Sequence, residues 1–244
     1  MLDVIGTILL TALAVFLVLM LAPAREGHGV TRRRVALGLS AWFITVALLA
    51  LAGAFASPAL PVGVALAIAV FVPVLAGAPI VVRTQAHGVP LATLVGVHVG
   101  RLLGVAFLLL YAAGRLPYTF AHSAGWGDIA VGVTALPVMW AIQRRSVGWQ
   151  WITAAWNVLG MADLLTAVTL GVGSTPGSLV RFNFEAPGAA AIAMFPWVLI
   201  PAFFVPLLLL THVGVFAALV ASARGPEGAP RPHSSEPMPH LPAR

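Results

Sequence analysis

Residues 2–21, LDVIGTILLTALAVFLVLML, form an apolar stretch that contains a single charged side chain, Asp3. About 20 consecutive apolar residues in a helix cross the hydrocarbon core of a bilayer, so this stretch predicts a transmembrane helix. Six more stretches of similar length and composition follow, at 35–56, 61–82, 91–114, 117–142, 148–171 and 191–220. The sequence therefore predicts an all-α integral membrane protein, a single bundle of seven transmembrane helices.

The overall composition excludes an ordinary water-soluble domain. Of the 244 residues, 60% are hydrophobic and 8% are charged, whereas soluble domains contain about 25% charged residues. Cysteine is absent, which excludes disulfides and thiolate metal sites. The net charge is +6, but its arginines lie in short segments between apolar stretches, so we interpret them as topology signals and expect no nucleic-acid partner.

The arginines are distributed unevenly between alternate connecting segments. If the amino terminus lies outside, only Arg115 and Arg181 fall on the outer side. Three tryptophans, at 140, 149 and 151, flank an inner turn, as interfacial aromatic side chains do. The positive-inside rule then predicts an amino terminus outside and a carboxyl terminus inside, in the bacterial inner membrane. The inner segments would hold Arg25, Arg32, Arg33, Arg34, Arg83, Arg144, Arg145, Arg224, Arg231 and Arg244.

Three segments outside the apolar cores need separate interpretation. Residues 223–244 are Pro-rich and polar, which predicts a disordered cytoplasmic tail after a transmembrane domain of residues 1–222. Residues 172–190 form an outer loop long enough to cover the bundle. Residues 22–24, Ala-Pro-Ala, resemble a signal-peptide cleavage site, but Asp3 and the long apolar core before them favour a retained helix.

Three charged side chains, Arg101, Asp128 and Asp163, fall inside predicted spans. Each costs about 2.5–3.5 kcal/mol at the centre of a transmembrane helix, so we expect them to face the bundle interior. A rise of about 1.5 Å per residue places Arg101 and Asp128 at depths of about 20 and 16 Å below the outer edge, and Asp163 at about 12 Å. We therefore predict that Arg101 pairs with Asp128, and that Asp163 has no dedicated partner and is free to bind a proton or a cationic ligand.

Asn157 completes the predicted ligand or proton site of Arg101, Asp128, Asn157 and Asp163. The segments GWGDIAVGVT from residue 125 and GMADLLTAVT from residue 160 align without gaps and superimpose the two aspartates, either by chance or through an ancestral duplication. Small residues line the predicted interior faces, as closely packed helices require. The glycines at 96, 100 and 104 form a GxxxGxxxG stripe, expected on a different face from Arg101.

His98 and His212 lie at similar predicted depths in two spans. Two such histidines are the minimum set for bis-imidazole haem ligation or a metal site, and hydrogen-bonded interior histidines are the alternative. No cofactor is predicted beyond this haem hypothesis, and no HExxH, GxSxG or P-loop motif indicates an enzyme. The hypotheses are therefore a protein that binds or transports a small polar solute or protons, a cofactor-bearing membrane enzyme using His98 and His212, and an accessory subunit whose ion pair only sets helix packing. The sequence does not predict an oligomeric state.

Three blocks of the carboxyl-terminal half carry a resemblance to known sequences. They are GRLPYTFAHSAGWGDIAVGV from residue 114, WNVLGMADLLTAVTLG from residue 156 and VLIPAFFVPLLLLTHV from residue 198. They resemble a family of uncharacterised bacterial multi-pass inner-membrane proteins. The resemblance implies a helical membrane fold and carries no activity or functional residue.

Overall fold

The computed structural model describes residues 1–22, 29–56, 60–84 and 89–224, with the backbone alone for 29–32 and 224. Residues 225–244, which make up most of the predicted tail, lie outside the described residues. The fold is all-helical, and seven helices in the described part are long and apolar enough to cross a membrane. The elements are α1 (Leu2–Leu21), α2 (Gly29–Leu51), α3 (Val62–Thr84), α4 (Leu91–Gly96), a 3-10 segment (Val97–Gly104), α5 (Val105–Ala112), α6 (Tyr118–Arg144), α7 (Trp149–Ser174) and α8 (Val205–Arg224).

The long helices run alternately between two ends of the bundle. One end carries Arg83, Arg144 and Arg145 and is called the basic end below. The opposite end carries residues 113–117 and 175–199 and is called the loop end. Helix α6 packs against α7 and against the whole span 91–112, and α8 packs against α3, α4 and α7. These contacts place span 91–112, α6, α7 and α8 around one interior.

The outer surface of the bundle is apolar. Large side chains such as Leu51, Leu75 and Leu159 are more than half exposed, although apolar groups of this size are buried in soluble proteins. Such a surface matches a hydrocarbon environment. At the basic end, Trp140 and Trp151 are exposed, whereas Trp149 is buried, with the Arg145 guanidinium 5.1 Å from its ring.

The middle of span 91–112 is a 3-10 helix over Val97–Gly104, a feature that the sequence did not indicate. Three residues make one turn of a 3-10 helix, so side chains three apart lie directly in line. His98, Arg101 and Gly104 consequently share one face, and all three are buried. An ideal α-helix would have rotated each of them away from the next by about 60°. The 3-10 winding therefore aligns the polar groups of this span toward the interior.

The same winding corrects the predicted GxxxGxxxG stripe. Gly104 lies against α6, where an added Cβ would be 2.4 Å from the Asp128 Cβ, while Gly100 faces Leu13 of α1. Residues four apart are separated by about 120° in a 3-10 helix, so the glycines do not form a common stripe. Gly104 instead shares the face of Arg101, contrary to the prediction, and permits close contact with α6.

The seventh span begins later than predicted. Residues 190–193 form a separate 3-10 turn, and the last span starts at Ile200. A proline disfavours helical backbone in the residue before it, and Pro196 lies in this connection. The segment between α7 and the last span is therefore longer than the predicted loop 172–190, and it covers the loop end of α1 through Trp197.

Close packing at Gly104 yields a stability prediction. Gly104→Ala places a Cβ 2.4 Å from the Asp128 Cβ and 2.9 Å from the Gly125 carbonyl oxygen. Because a backbone atom cannot move aside cheaply, we expect a loss of about 1–3 kcal/mol, measured as a lower melting temperature in detergent. Gly38→Ala is the matched control, since nothing lies within 4 Å of the added Cβ. Equal melting temperatures for the two variants would contradict this account of the packing.

Candidate functional site

Arg101 binds two carboxylates that come from different helices. Its Nε donates to Asp128 Oδ1 at 2.6 Å, and its Nη2 donates to Asp163 Oδ2. Its Nη1 donates to the backbone carbonyl of Gly160 at 3.0 Å. The guanidinium thus joins span 91–112 to α6 and α7. The side chains of Arg101, Asp128 and Asp163 are called the carboxylate cluster below.

Two glycines make this convergence possible. A Cβ on Gly127 would lie 1.7 Å from Asp163 Oδ1, so the Asp163 carboxylate occupies the space that a side chain on α6 would fill. Gly104 gives Asp128 the corresponding room on span 91–112. The small residues of the predicted interior faces therefore serve close helix contact, and at these two positions they also accommodate the carboxylates.

The structure confirms one prediction about the cluster and corrects another. The predicted ion pair between Arg101 and Asp128 is present. The prediction that Asp163 lacks a dedicated partner is wrong, because the same guanidinium also binds Asp163. The depth estimate assigned one partner to the arginine, whereas its five donors in a planar fork can serve several acceptors at once.

The members of the cluster differ in their access to the surroundings. The Arg101 side chain is 1% exposed, whereas those of Asp128 and Asp163 are 14% and 17% exposed. A cavity of about 40 Å³ borders Arg101 and Asp128, and its other walls include Leu10 of α1 and Leu208 of α8. The positive charge is therefore enclosed, and the accessible groups are the carboxylates.

Asn157 belongs to a neighbouring group of polar side chains and makes no hydrogen bond to the carboxylate cluster. Its Oδ1 is 2.7 Å from His212 Nδ1, and its Nδ2 donates to the His212 carbonyl at 3.1 Å. His98 lies against the same histidine, with ring centroids 4.1 Å apart, and Trp156 covers both rings. We call His98 and His212 the imidazole pair.

The hydrogen bonds assign a tautomer to each member of the imidazole pair. The Thr211 hydroxyl donates to the Leu208 carbonyl, so it can only accept from His98, and the proton of His98 is on Nε2. The Asn157 amide nitrogen donates to the His212 carbonyl, which fixes the orientation of the amide group. The amide oxygen therefore faces His212 and accepts from its Nδ1–H. His98 Nδ1 and His212 Nε2 are then bare lone pairs, and both are buried without a hydrogen-bond partner.

The geometry of the imidazole pair does not fit the haem hypothesis. Two axial histidines bind from opposite faces of a porphyrin, whereas the rings of His98 and His212 contact each other directly. No macrocycle fits between rings whose centroids are 4.1 Å apart. Across the described residues, no group of three or more His, Cys, Asp or Glu side chains is arranged to hold a metal ion.

A second polar network, which the sequence did not indicate, closes the loop end. Asp3 of α1 accepts hydrogen bonds from Arg115 and from the indole of Trp197, each at 2.6 Å. Glu185 of the covering loop accepts from the backbone N–H and the hydroxyl of Thr119 in the first turn of α6. Asp3 and Trp197 are far apart in sequence, so no local pattern could have indicated their contact.

The comparisons with known proteins identify a family without assigning it an activity. The family model described as Domain of unknown function (DUF8737) matches residues 58–220, more than half of the chain. The chain belongs to this family. The DUF8737 match contains both the carboxylate cluster and the imidazole pair, whereas α1, α2 and Asp3 lie outside it. No curated protein matches the chain, and neither does any solved structure.

The shared arginine predicts an asymmetry between substitutions in the cluster. Arg101→Leu leaves two buried carboxylates without a cation, and losing one partner of a buried ion pair costs roughly 3–5 kcal/mol. Asp128→Asn or Asp163→Asn leaves one arginine with one carboxylate, a neutral pair, so we expect a loss of only about 1 kcal/mol. Thermal melting in detergent measures both effects.

Two further variants test the sharing directly. The double variant Arg101→Leu, Asp128→Leu still leaves the Asp163 carboxylate without a cation. Only the triple variant, which adds Asp163→Leu, should therefore recover most of the lost stability. Full recovery in the double variant would show that Asp163 does not depend on Arg101.

The Glu185 contact predicts a pH effect at the loop end. Hydrogen bonds from Thr119 lower the pKa of Glu185 in the folded protein, so the carboxylate form stabilises the fold. That stabilisation is present above the ordinary Glu pKa of about 4.3 and is lost as the pH falls through the lower folded-state pKa. The melting temperature of the wild type should therefore fall more steeply below pH 5 than that of Glu185→Gln, and parallel curves would contradict the contact.

Proposed function

We propose that the chain is a multi-pass integral membrane protein of the bacterial inner membrane, with its amino terminus outside and its basic end inside. The seven long apolar helices and the apolar outer surface support this placement. The arginine asymmetry supports the orientation, since Arg83, Arg144 and Arg145 lie together at the basic end. At the other end, Arg115 is paired with Asp3, which reduces its weight as a topology signal.

Reporter fusions test this orientation. A fusion after Arg145 should report the cytoplasm, and one within the loop 175–199 should report the outside. A fusion after Arg224 is the second cytoplasmic point. Outside signals at both of these arginine positions would reverse the proposed orientation.

We propose that the function of this membrane protein is to bind and exchange a proton at the carboxylate cluster. The supporting observation is the stoichiometry of one buried arginine to two carboxylates. With both carboxylates ionised, the cluster carries a net charge of −1, and an uncompensated charge inside a membrane costs several kcal/mol. One proton shared by Asp128 and Asp163 makes the cluster neutral.

The cavity favours a proton over a larger cargo. Its volume of about 40 Å³ beside Arg101 and Asp128 accommodates on the order of one to three water molecules. Pockets that hold small organic ligands are typically about 300–1,000 Å³. A small polar solute is therefore a weaker proposal for this conformation, whereas a proton moving between carboxylates and water needs no larger space.

Proton flux into proteoliposomes is the functional test. Vesicles that contain the purified protein and a trapped pH-sensitive dye are given a potassium diffusion potential. We expect acidification with the wild type and its loss in Asp128→Asn and Asp163→Asn, because a neutral arginine–carboxylate pair has no proton to release. Glu185→Gln is the control acid outside the cluster and should keep the flux.

The outcomes of the flux test separate the proposal from a structural role. Equal flux in the wild type, in both cluster variants and in empty vesicles would contradict proton exchange. If the cluster variants change only the melting temperature, the ion pairs serve helix packing, as expected for an accessory subunit.

A further inference from the structure

Fully buried polar side chains are concentrated on one side of the carboxylate cluster. In the part of the chain that the structure describes, Ser174 and Thr175 are buried at the loop end, and every other buried polar side chain lies level with Arg101 or closer to the basic end. Toward the loop end, a second cavity is lined by apolar side chains such as Phe107, Phe120 and Ile192. A polar column therefore leads from the cluster toward the basic end, formed by His98, Arg101, Thr153, Asn157, Thr211 and His212.

The imidazole pair is the titratable part of this column. Both rings are 0% exposed, and each keeps one basic nitrogen without a partner. A bare buried acceptor is costly unless something donates to it. The Thr211 hydroxyl and the Asn157 amide already donate to backbone carbonyls. Neither group is therefore available to donate to a bare nitrogen. Each bare nitrogen is therefore an unused acceptor, at which a proton can bind.

Gly160 is where the imidazole pair meets the carboxylate cluster. Its carbonyl accepts from Arg101 Nη1 at 3.0 Å. A Cβ built on the same residue would lie 3.0 Å from Nε2 and 2.6 Å from Cε1 of His212. The bare nitrogen of His212 therefore approaches α7 one turn of helix from Asp163, at the residue that the arginine already holds.

We propose that the imidazole pair is a second binding site for the proton of the carboxylate cluster, on the way to the basic end. In the transfer, an O–H bond of Asp128 or Asp163 breaks and an N–H bond forms at Nε2 of His212, with His98 Nδ1 as the next acceptor. The inference rests on the proposed proton exchange and extends it by naming the next residues on the path.

The transfer leaves the net charge of the buried column unchanged. One arginine, two carboxylates and one proton sum to zero whether the proton is on a carboxyl or on an imidazole. Moving the proton therefore separates charge within the buried column without changing its net charge. The His212 ring meets α7 at Gly160, three residues before Asp163, so attraction to the ionised cluster limits the cost of burying an imidazolium.

The charged groups around the pair are those of the cluster itself. Arg101 lies on the same face as His98, and Asp128 and Asp163 approach from α6 and α7. Helix α8 contributes the uncharged Thr211 at this level, and the only charged residue of the neighbouring α3 is Arg83, in its last turn. The repulsion between Arg101 and an imidazolium is offset only when both carboxylates are ionised, which couples the two sites.

Nitrogen-15 NMR of histidine-labelled protein in nanodiscs tests this coupling without altering the pair. At neutral pH the wild type should show neutral His98 protonated on Nε2 and neutral His212 protonated on Nδ1, together with an imidazolium fraction. Asp163→Asn removes one negative charge and should reduce that fraction. Two fully neutral histidines in the wild type, or an imidazolium fraction unchanged by the substitution, would overturn the proposal.

Proton flux in proteoliposomes distinguishes this inference from the function on which it rests. Gly160→Ala displaces the His212 ring and keeps the carbonyl that Arg101 binds, so it should abolish the flux, as should His212→Gln. Two control variants should keep the flux. They are Gly38→Ala, with open space around its Cβ, and His122→Gln, at the loop end of α6. Flux that persists in Gly160→Ala and His212→Gln but is lost in Asp163→Asn would overturn only the imidazole step. No flux in the wild type would overturn both.

Discussion

A single buried guanidinium that binds two carboxylates is the interaction on which the interior of this bundle depends. Arg101 joins span 91–112 to α6 through Asp128 and to α7 through Asp163 and the Gly160 carbonyl. Ionised groups buried in an apolar interior persist only when paired, so these three elements cannot separate without leaving charges unpaired. The same arrangement leaves one negative charge in excess, and the proposed proton chemistry follows from that excess.

Much of this arrangement was predictable because it follows from burial cost. Seven apolar stretches gave seven helices, and charged residues inside them had to converge, which the Arg101–Asp128 pair confirms. The two aspartates that the aligned segments superimpose both bind Arg101 from neighbouring helices, although the alignment itself predicted no shared partner. Helix period and depth are sufficient for predictions of this kind, because they depend only on position along regular α-helices.

The remaining features depend on departures from regular helices and on contacts distant in sequence. The 3-10 winding of Val97–Gly104 aligns His98 with Arg101 and disperses the expected glycine stripe, and no residue pattern in that segment distinguishes it from an α-helix. The contact between His98 and His212 depends on how α8 lies against span 91–112. The bond between Trp197 and Asp3 likewise depends on the path of a loop. Propensity and periodicity carry no information about such placements.

The excess of one carboxylate over the arginine can be measured most directly by infrared spectroscopy of the protonated-carboxyl band, with the protein in nanodiscs at neutral pH. The account predicts a protonated-carboxyl band in the wild type, with an intensity of at most one carboxyl because the proton is shared with the imidazole pair. The band should disappear in both Asp128→Asn and Asp163→Asn, since either substitution leaves a neutral pair with Arg101. It should grow in Arg101→Gln, in which both carboxyls need protons. A wild type without this band, or single variants that retain it in full, would contradict the shared proton and the function proposed from it.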